Sequence, residues 1–424
     1  MKLEVEKSKV AGAISVPGSK SHTIRAVAVA SMAKGVSHIR GPLLSDDTVS
    51  ATQAAKALGA KVERGDDSVW TIEGNGGQIA KPAGVMDMGN SGTSLRIFSG
   101  LAALAEFPVS FDGDESLRTR PMGILLSALE MLGAKCSSAK GFCPLTIEGP
   151  IKGGHTELEG KSSQFVTALL FAAPLCKQDS TIKVFKLNEI PYVEITLDWL
   201  AKQGIKLDHS ADLTEYKIKG GQSYKPFDMT VPADFSTACF PLVAAAITGG
   251  TVEIRNLDFS DRQGDKAVFS FLERMGAKVV RGESSTTVSG AGGLHGCEFD
   301  LNATPDALPA MAVAAAFAKG RSVLGNVPQA RIKETDRIAC MTKELRKLGA
   351  KIEELPDSMV IEGGIPLKGA AVESYKDHRI AMSMALAGMI AEGRTVIADA
   401  ECASVTYPAF VKDFIRLGAS FKAV

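Results

Sequence analysis

A short segment near the N-terminus combines the residue types that bind anions. Gly18 leaves the backbone free, and Ser19 or Ser21 can cap the helix that follows. Lys20 and Arg25 place two positive charges near that helix start, with Arg25 on the same face as Ser21. Because the amides and the dipole of a helix N-terminus also attract anions, the segment predicts a phosphate or carboxylate site. A capped helix start with solvated cations is the alternative, and the spacing excludes a Walker A loop.

Further predicted helix starts carry unusual polar residues. They lie at residues 89–96 (GNSGTSLR), 162–164 (SSQ), 333–337 (KETDR) and 377–379 (DHR), and Asp306 opens another helix after Pro305. The first two offer small residues and free amides for the close approach of an anion. In the segment 333–337, Glu334 follows Lys333 and precedes Arg337 at the helix start. The charge state of its carboxyl group would therefore depend on these two cations. Taken one at a time, each segment is also explained by a capped or salt-bridged helix start.

The elements that position these residues form a sixfold repeat. In each copy a predicted helix ends at a glycine that leads into a strand, and these glycines are Gly59, Gly133, Gly204, Gly276, Gly349 and Gly418. Glycine readily adopts the left-handed conformation that closes a helix. Upstream of each lies a second, more apolar helix candidate followed by a short strand: 21–34 and 36–39, 91–105 and 108–111, 163–175 and 181–185, 235–248 and 251–254, 306–319 and 322–324, and 378–391 and 395–397. We therefore predict a module close to βαβαββ that buries its first helix and exposes its second.

The apolar first helices predict two domains of three repeats each, because three such helices can bury one another in a shared core. Residues 1–18 and 232–424 are assigned to the first domain, with repeats four to six, and residues 19–231 to the second, with repeats one to three. One strand over residues 2–16 is expected to pair with the second half, and residues 220–226 have the composition of a linker. The starts of the buried helices would then meet in a cleft between the domains, where we expect a small polyanionic substrate.

Composition argues against several other classes of function. Lys and Arg total 48, as do Asp and Glu, so no net charge draws the chain to nucleic acid or to a membrane surface. Aromatic residues do not cluster as they do in proteins that stack nucleobases. The seven cysteines lack CxxC or zinc-ligand spacing, and neither a signal peptide nor an apolar run of membrane-spanning length is visible. We expect a reduced, cytoplasmic monomer with no metal site.

Seven segments resemble, in order and spacing, the 5-enolpyruvylshikimate-3-phosphate (EPSP) synthase family. They are residues 17–21 (PGSKS), 89–93 (GNSGT), 118–122 (RTRPM), 162–165 (SSQF), 191–192 (PY), 331–337 (RIKETDR) and 377–379 (DHR). The resemblance implies an inside-out α/β barrel fold of two domains, built from six βαβαββ-type repeats with three per domain. It implies transfer of the enolpyruvyl group of phosphoenolpyruvate to the 5-hydroxyl of shikimate 3-phosphate, by addition and elimination through a tetrahedral intermediate that releases phosphate. That step belongs to the shikimate pathway and aromatic amino acid biosynthesis, and it needs no cofactor.

The same resemblance implies roles for individual residues. Asp306 would assist loss of the hydroxyl proton, Glu334 would protonate the methylene carbon, and Lys20 would be a second catalytic acid. The residues implied to bind phosphoenolpyruvate are Lys20, Gly92, Arg120, Gln164, Arg337 and Arg379. Those implied to bind shikimate 3-phosphate are Lys20, Ser21, Arg25, Ser162, Ser163, Gln164, Tyr192, Asp306, Gln329 and Lys333.

Three residues depart from the family pattern. Glu189 stands where the family usually has Ser near the shikimate phosphate, Gln329 stands where Asn is common, and Val405 stands where many members have a Lys that helps to hold phosphoenolpyruvate. Neutral variation, weaker substrate affinity and a paralogue with a different acceptor all stay open.

Three further alternatives concern the type of protein. The related UDP-N-acetylglucosamine enolpyruvyl transferases typically carry a reactive Cys in a loop that corresponds here to residues 112–118, and this loop has none. The retained Lys20, Asp306 and Glu334 argue against a non-catalytic anion-binding relative, since binding alone does not need the carboxylates. A repeat scaffold whose polar helix starts are only caps is the third alternative, and binding of both substrates would exclude it. Transfer to shikimate 3-phosphate is therefore the preferred interpretation.

Overall fold

A computed structural model describes residues 1–65, 68–282, 285–290 and 293–424. These residues divide into two compact units, Met1–Pro17 with Pro232–Val424 (unit 1) and Gly18–Val231 (unit 2). Each unit has its own continuous apolar core of buried side chains.

Each unit contains six α-helices within the described residues. In unit 2 they are α1 (Lys20–Met32), α2 (Asp46–Ala57), α3 (Gly92–Ala102), α4 (Gly123–Met131), α5 (Ser163–Ala172) and α6 (Ile190–Lys202). In unit 1 they are α7 (Phe235–Thr248), α8 (Ala267–Met275), α9 (Leu308–Phe317), α10 (Arg337–Lys347), α11 (His378–Gly388) and α12 (Phe410–Arg416). Short 3-10 helices occupy Leu117–Thr119, Ala173–Leu175, Gly264–Lys266, Pro305–Ala307, Pro328–Ile332 and Ala400–Val405.

The odd-numbered helices are the buried ones, as predicted for the first helix of each repeat. Almost every residue of α1, α7 and α11, for example, is buried, whereas α10 and α12 bury only part of their surface. Within unit 1, α7, α9 and α11 contact one another, and within unit 2, α3 contacts both α1 and α5. The buried helices therefore pack on one another in each core, together with side chains from the strands.

The strands of the described residues form six four-stranded sheets, one for each repeat. In unit 2, the sheet of the first repeat has the strand order β14 (Asp228–Thr230), β3 (Lys34–Arg40), β5 (Val69–Asn75), β4 (Lys61–Arg64). The sheet of the second repeat has the order β6 (Met86–Asp87), β7 (Pro108–Asp112), β9 (Phe142–Glu148), β8 (Lys135–Ala139). The sheet of the third repeat has the order β10 (Gly154–Glu159), β11 (Ser180–Phe185), β13 (Glu215–Ile218), β12 (Leu207–His209). In unit 1, the sheet of the fourth repeat has the strand order β2 (Ala11–Ser15), β15 (Thr251–Arg255), β17 (Ser285–Ser289), β16 (Lys278–Arg281). The sheet of the fifth repeat has the order β18 (Glu298–Asp300), β19 (Gly320–Gly325), β21 (Ser358–Gly363), β20 (Lys351–Leu355). The sheet of the sixth repeat has the order β22 (Ala371–Glu373), β23 (Arg394–Ala398), β1 (Leu3–Glu6), β24 (Ser420–Ala423). In each sheet the first two strands are parallel and the other neighbours are antiparallel.

The N-terminal segment forms two strands, so the prediction of one strand over residues 2–16 is wrong in this respect. β1 lies between β23 and β24 and completes the sheet of the sixth repeat. β2 pairs in parallel with β15 in the sheet of the fourth repeat. Because the two sheets belong to different repeats, the chain has to turn between Glu6 and Ala11. The predicted pairing with the second half of the chain is confirmed.

The six signature glycines close helices, as the sequence predicted. Their φ angles run from +70° at Gly204 to +107° at Gly276, in the left-handed region that favours glycine. At the end of α2, the Gly59 amide donates to the carbonyl of Lys56 at 3.0 Å. Each glycine thus turns the chain from a half-exposed helix into the next strand.

Residues 220–226 belong to unit 2, although their composition suggested a linker. Tyr224 is buried, and its hydroxyl donates to the Phe171 carbonyl at 2.8 Å. β14 then follows and pairs with β3. A glycine-rich segment can join a core when one aromatic side chain anchors it.

The seven cysteines are all free thiols. In the part of the chain that the structure describes, no helix has both the length and the apolar character needed to cross a membrane.

Candidate active site

Arg337 is the centre of a charge cluster in unit 1. The Asp336 side chain caps α10, which makes Arg337 the first helical residue. The Arg337 side chain is only 1% exposed, and it donates through Nε to Asp377 Oδ2 and through Nη1 to Asp306 Oδ1, each at 2.8 Å. Its Nη2 donates to Glu334 Oε2. Burial alone would lower the pKa of Arg337, but these three carboxylates outweigh burial and raise it, so the guanidinium stays charged and fixed.

Asp306 lies between two guanidinium groups. It sits in the 3-10 turn Pro305–Ala307, directly before α9. Oδ1 accepts from Arg337, and Oδ2 accepts from Arg379 Nη2 at 2.9 Å. Burial raises the pKa of Asp306, but Arg379, Lys333 and Arg337 together lower it well below its usual value. The carboxylate is therefore ionised at neutral pH and is a weak base while both arginines contact it.

Asp377 positions both arginines of this cluster. Its Oδ1 accepts from the backbone amide of Arg379 at 2.9 Å, and this hydrogen bond caps α11. Its Oδ2 accepts from Arg337 Nε and from the Thr335 hydroxyl at 3.1 Å. The sequence indicated only the cap, because the contact with Arg337 joins two repeats.

Lys333 and Glu334 precede α10, whereas the sequence placed them at its start. The helix begins at Arg337 because Asp336 is its cap, and Lys333 follows the 3-10 helix Pro328–Ile332. Glu334 therefore reaches Arg337 from a connecting loop. A loop residue can change its backbone angles without breaking helical hydrogen bonds, so Glu334 has more freedom than the predicted position would allow.

Gln329 is buried in the same 3-10 helix. Its Nε2 donates to the carbonyl of Asn302 at 2.8 Å. Its Oε1 is also buried and has no hydrogen-bond partner within the described residues. The amide group is thus held by the backbone of its own unit, and its contact with substrate stays a prediction.

Lys20 forms an ion pair in unit 2 that the sequence did not reveal. α1 begins at Lys20, after the Ser19 cap. Lys20 Nζ lies 3.0 Å from Asp47 Oδ2, and these side chains are 13% and 4% exposed. The Asp47 carbonyl in turn accepts from the Ser94 hydroxyl at 3.0 Å. Asp47 therefore orients Lys20 and joins the start of α2 to α3.

Gly92 and Arg120 adjoin at the start of α3. Arg120 is 5% exposed, and its Nη2 donates to the side-chain oxygens of Asn90 and Ser116. A Cβ on Gly92 would lie 2.8 Å from Arg120 Nη1. The absence of a side chain thus allows the guanidinium to lie against a helix start, whose amides favour an anion.

The start of α5 connects to α3 through Gln164. Its Nε2 donates to Thr93 Oγ1 at 2.9 Å, and its Oε1 accepts from Arg96 Nη1 at 2.7 Å. Arg96 also lies over the Phe165 ring, 4.9 Å from its centroid. Ser162 caps α5 by accepting from the Gln164 amide. Gln164 is therefore held in one orientation by the helix that Gly92 begins.

Ser163 is bound by a carboxylate of its own unit. Its amide and its hydroxyl both donate to Glu189 Oε2, at 3.0 and 2.7 Å. Glu189 is 1% exposed, so this contact is shielded from solvent.

Arg25 is directed into the interior of unit 2. Its guanidinium donates to the carbonyls of Ser21 and Tyr192, each at 3.1 Å, and to hydroxyls on α5 and α6. Burial lowers the pKa of Arg25 to about 10, although the nearby Tyr192 and Glu189 act in the opposite direction. Arg25 therefore connects α1, α5 and α6. Its contact with substrate stays a prediction.

The chain matches known proteins over nearly its whole length. A family model described as EPSP synthase (3-phosphoshikimate 1-carboxyvinyltransferase) matches residues 5–414. The chain belongs to the EPSP synthase family. It is 50% identical to the 3-phosphoshikimate 1-carboxyvinyltransferase of Acetivibrio thermocellus, in an alignment that covers 99% of both chains. It is 47% identical to that of Ruminiclostridium cellulolyticum, in an alignment that covers 100% of both chains.

A solved EPSP synthase from Acinetobacter baumannii has the same fold. It aligns with a TM-score of 0.83 and 28% identity over 99% of both chains. The predicted EPSP synthase family and its two-domain α/β fold of repeats are thus confirmed. In unit 1 the structure brings together Asp306, Glu334, Arg337 and Arg379, and in unit 2 it brings Gly92 to Arg120.

Proposed function

We propose that this chain catalyses the reaction of its family, the transfer of the enolpyruvyl group of phosphoenolpyruvate to the 5-hydroxyl of shikimate 3-phosphate with release of phosphate. One observation carries the assignment of roles: Asp306 and Glu334 share the guanidinium of Arg337, which lies with Glu334 in the segment 331–337 that resembles the family. A carboxyl beside a cation can be tuned for proton transfer. Binding of anions alone would favour cations without the two carboxylates.

Arginine and lysine side chains supply the binding of phosphoenolpyruvate in this proposal. Arg337 and Arg379 in unit 1, and Lys20 and Arg120 in unit 2, are assigned to its phosphate and carboxylate. A guanidinium can form two parallel hydrogen bonds with either group. The Asp377 and Asp47 carboxylates support the assignment, because they fix Arg337 and Lys20 before the substrate arrives.

The addition step joins the two substrates. The 5-hydroxyl oxygen bonds to C2 of phosphoenolpyruvate, its proton passes to Asp306, and Glu334 gives a proton to C3, which becomes a methyl group. A phosphate that takes over hydrogen bonds from Arg337 and Arg379 would remove part of the positive charge around Asp306. The pKa of Asp306 then rises, so substrate binding makes the carboxylate a stronger base.

The elimination step releases the products. The Glu334 carboxylate takes a proton from the new methyl group, the C2–C3 double bond re-forms, and the bond from C2 to the phosphate oxygen breaks. Glu334 thereby regains its proton, and Asp306 gives the hydroxyl proton to the departing phosphate. The cations stabilise the charge that develops on the departing phosphate, and Lys20 is the second acid that can protonate it.

One assay tests the proposal directly. The purified full chain is mixed with phosphoenolpyruvate and shikimate 3-phosphate, and the release of inorganic phosphate is followed. Phosphate release that depends on both substrates is expected, and UDP-N-acetylglucosamine should not replace the acceptor. A folded protein that releases no phosphate, or that prefers the nucleotide sugar, contradicts the proposal.

Three expectations from the sequence stay predictions: a monomeric state, a cytoplasmic location, and an active site in the cleft between the domains. Light scattering of the purified chain tests the first. Fractionation of the source cells tests the second, and a structure with both substrates bound tests the third.

A further inference from the structure

A buried carboxylate occupies the start of α5. Glu189 Oε2 accepts from the first helical amide, that of Ser163, at 3.0 Å, and from its hydroxyl at 2.7 Å. The Glu189 side chain is 1% exposed, and its backbone φ of +59° lies in the left-handed region that a non-glycine residue rarely adopts. A strained backbone is maintained only where the surrounding contacts compensate for it. The two hydrogen bonds from Ser163 are such contacts.

The surroundings of this carboxylate are those of an anion site. α5 has 10 residues, so its N-terminus carries a full helix dipole beside the Ser163 amide. Arg25 is buried nearby, and Glu189 is one of the groups that favour its charged form. The Glu189 carboxylate therefore accepts from hydrogen-bond donors that could otherwise bind an anion from solution.

This position matters for the acceptor if the proposed function is correct, and the inference rests on it. The family resemblance assigns Ser162 and Ser163 to shikimate 3-phosphate, and the family usually has a serine in place of Glu189. Two anions cannot share the same donors, because like charges at contact distance repel each other by several kcal/mol. A bound phosphate must therefore displace the Glu189 carboxylate from Ser163.

We propose that Glu189 is a specificity-determining residue, an internal carboxylate that competes with the phosphate group of the acceptor for Ser163. The enzyme then binds shikimate 3-phosphate less tightly than its other contacts allow. It also discriminates less between the phosphorylated acceptor and shikimate, which lacks the phosphate. The larger effect is expected on the acceptor, because Glu189 accepts two hydrogen bonds from Ser163, which the resemblance assigns to shikimate 3-phosphate and not to phosphoenolpyruvate.

Two substitutions at Glu189 separate charge from shape. Glu189→Gln keeps the length and an oxygen acceptor for Ser163 but removes the charge, and Glu189→Ser restores the usual family residue. Glu130→Gln on α4 is the matched control, since it removes the same charge from an exposed position. Circular dichroism and thermal unfolding establish that each full-length variant is folded.

The readouts are the KM values for both substrates and the calorimetric affinities for shikimate 3-phosphate and shikimate. Both Glu189 variants are expected to bind shikimate 3-phosphate at least about tenfold more tightly than the wild type, as removal of a like charge predicts. Affinity for shikimate and the KM for phosphoenolpyruvate should change less than about twofold, within the usual effect of a neutral substitution. Unchanged or weaker binding of shikimate 3-phosphate by folded Glu189→Gln overturns the proposal, as does an equal gain in Glu130→Gln.

Inorganic phosphate separates this inference from the function itself. If the wild type has no transferase activity, the proposed function fails, but the competition can still be measured as the affinity of wild type and Glu189→Gln for inorganic phosphate. Tighter phosphate binding by the variant supports competition at Ser163. Equal phosphate affinity in the two proteins contradicts it.

Discussion

Replacement of Gly92 by alanine tests whether Arg120 belongs to the phosphoenolpyruvate site. The added Cβ would lie 2.8 Å from Arg120 Nη1, whereas ordinary contact begins at 3.4 Å. The guanidinium therefore has to withdraw by about 0.6 Å, the difference between these distances, because close-packed atoms repel steeply. Arg120 is 5% exposed and also held by Asn90, so it cannot withdraw without losing part of its present geometry.

The expected effect is on binding of phosphoenolpyruvate. A misplacement of about 1 Å can reduce a rate roughly a hundredfold, so a shift of about 0.6 Å should lower kcat/KM for phosphoenolpyruvate roughly tenfold. We expect most of this loss as a higher KM, because Arg120 is assigned to substrate binding. The KM for shikimate 3-phosphate should change little. Steady-state phosphate release, measured with each substrate varied in turn, separates the two values.

Gly123→Ala is the matched control for this experiment. Gly123 is the first residue of α4, as Gly92 is of α3, but the nearest atom to its added Cβ would be 3.7 Å away. Both substitutions add the same methyl group at the same helical position. An unchanged KM for phosphoenolpyruvate in Gly92→Ala, or the same rise in Gly123→Ala, would refute the reasoning.

Three further predictions concern other charges of the site. Glu334→Gln should lower kcat by about 10²- to 10⁴-fold, the usual contribution of a general acid or base, and leave phosphoenolpyruvate binding measurable by calorimetry; normal turnover would remove its proposed role. Val405→Lys should lower the KM for phosphoenolpyruvate by adding a cation, whereas Val405→Met, a neutral side chain of similar length, should not; equal effects of the two would show that charge is not the cause. Arginine contacts hold the pKa of Asp306 below its unfolded value of about 4. Above about pH 4 the ionised carboxylate therefore stabilises the fold, and this stabilisation is lost as the pH falls from about 4 through the lower pKa of the folded state. The difference in unfolding free energy between wild type and Asp306→Asn should therefore shrink in acid, and a difference that does not depend on pH argues against the ion pairs as its source.

Local patterns of the sequence predicted most of the fold. The helix predicted over residues 235–248 is α7 (Phe235–Thr248), because an apolar run and a closing glycine define its ends. The N-terminal segment shows the limit, since nothing in residues 2–16 indicates that β1 and β2 join different sheets. Strand pairing over such distances depends on the packing of the whole unit.

The sequence named candidate site residues one by one, and their roles stay predictions, but it did not indicate the contacts among them. A motif indicated Lys20, and a departure from the family pattern indicated Glu189, but neither indicated the partners Asp47 and Ser163 that bind them. Each partner lies in a different helical element, so its proximity depends on how the helices of one repeat or of neighbouring repeats pack. Sequence spacing reports neighbours along one helix only.

The position of β1 also has a consequence for how the protein is made. Its Glu4 contacts Arg394, 390 residues later in the chain, so the sheet that contains β1 cannot close until that segment has left the ribosome. At a synthesis rate of about 5–20 residues per second, β1 waits roughly 20–80 seconds for its neighbours. Unit 2, which is continuous in sequence, is complete well before then. We therefore expect unit 2 to fold during translation and unit 1 to be the part of a nascent chain on which chaperones act.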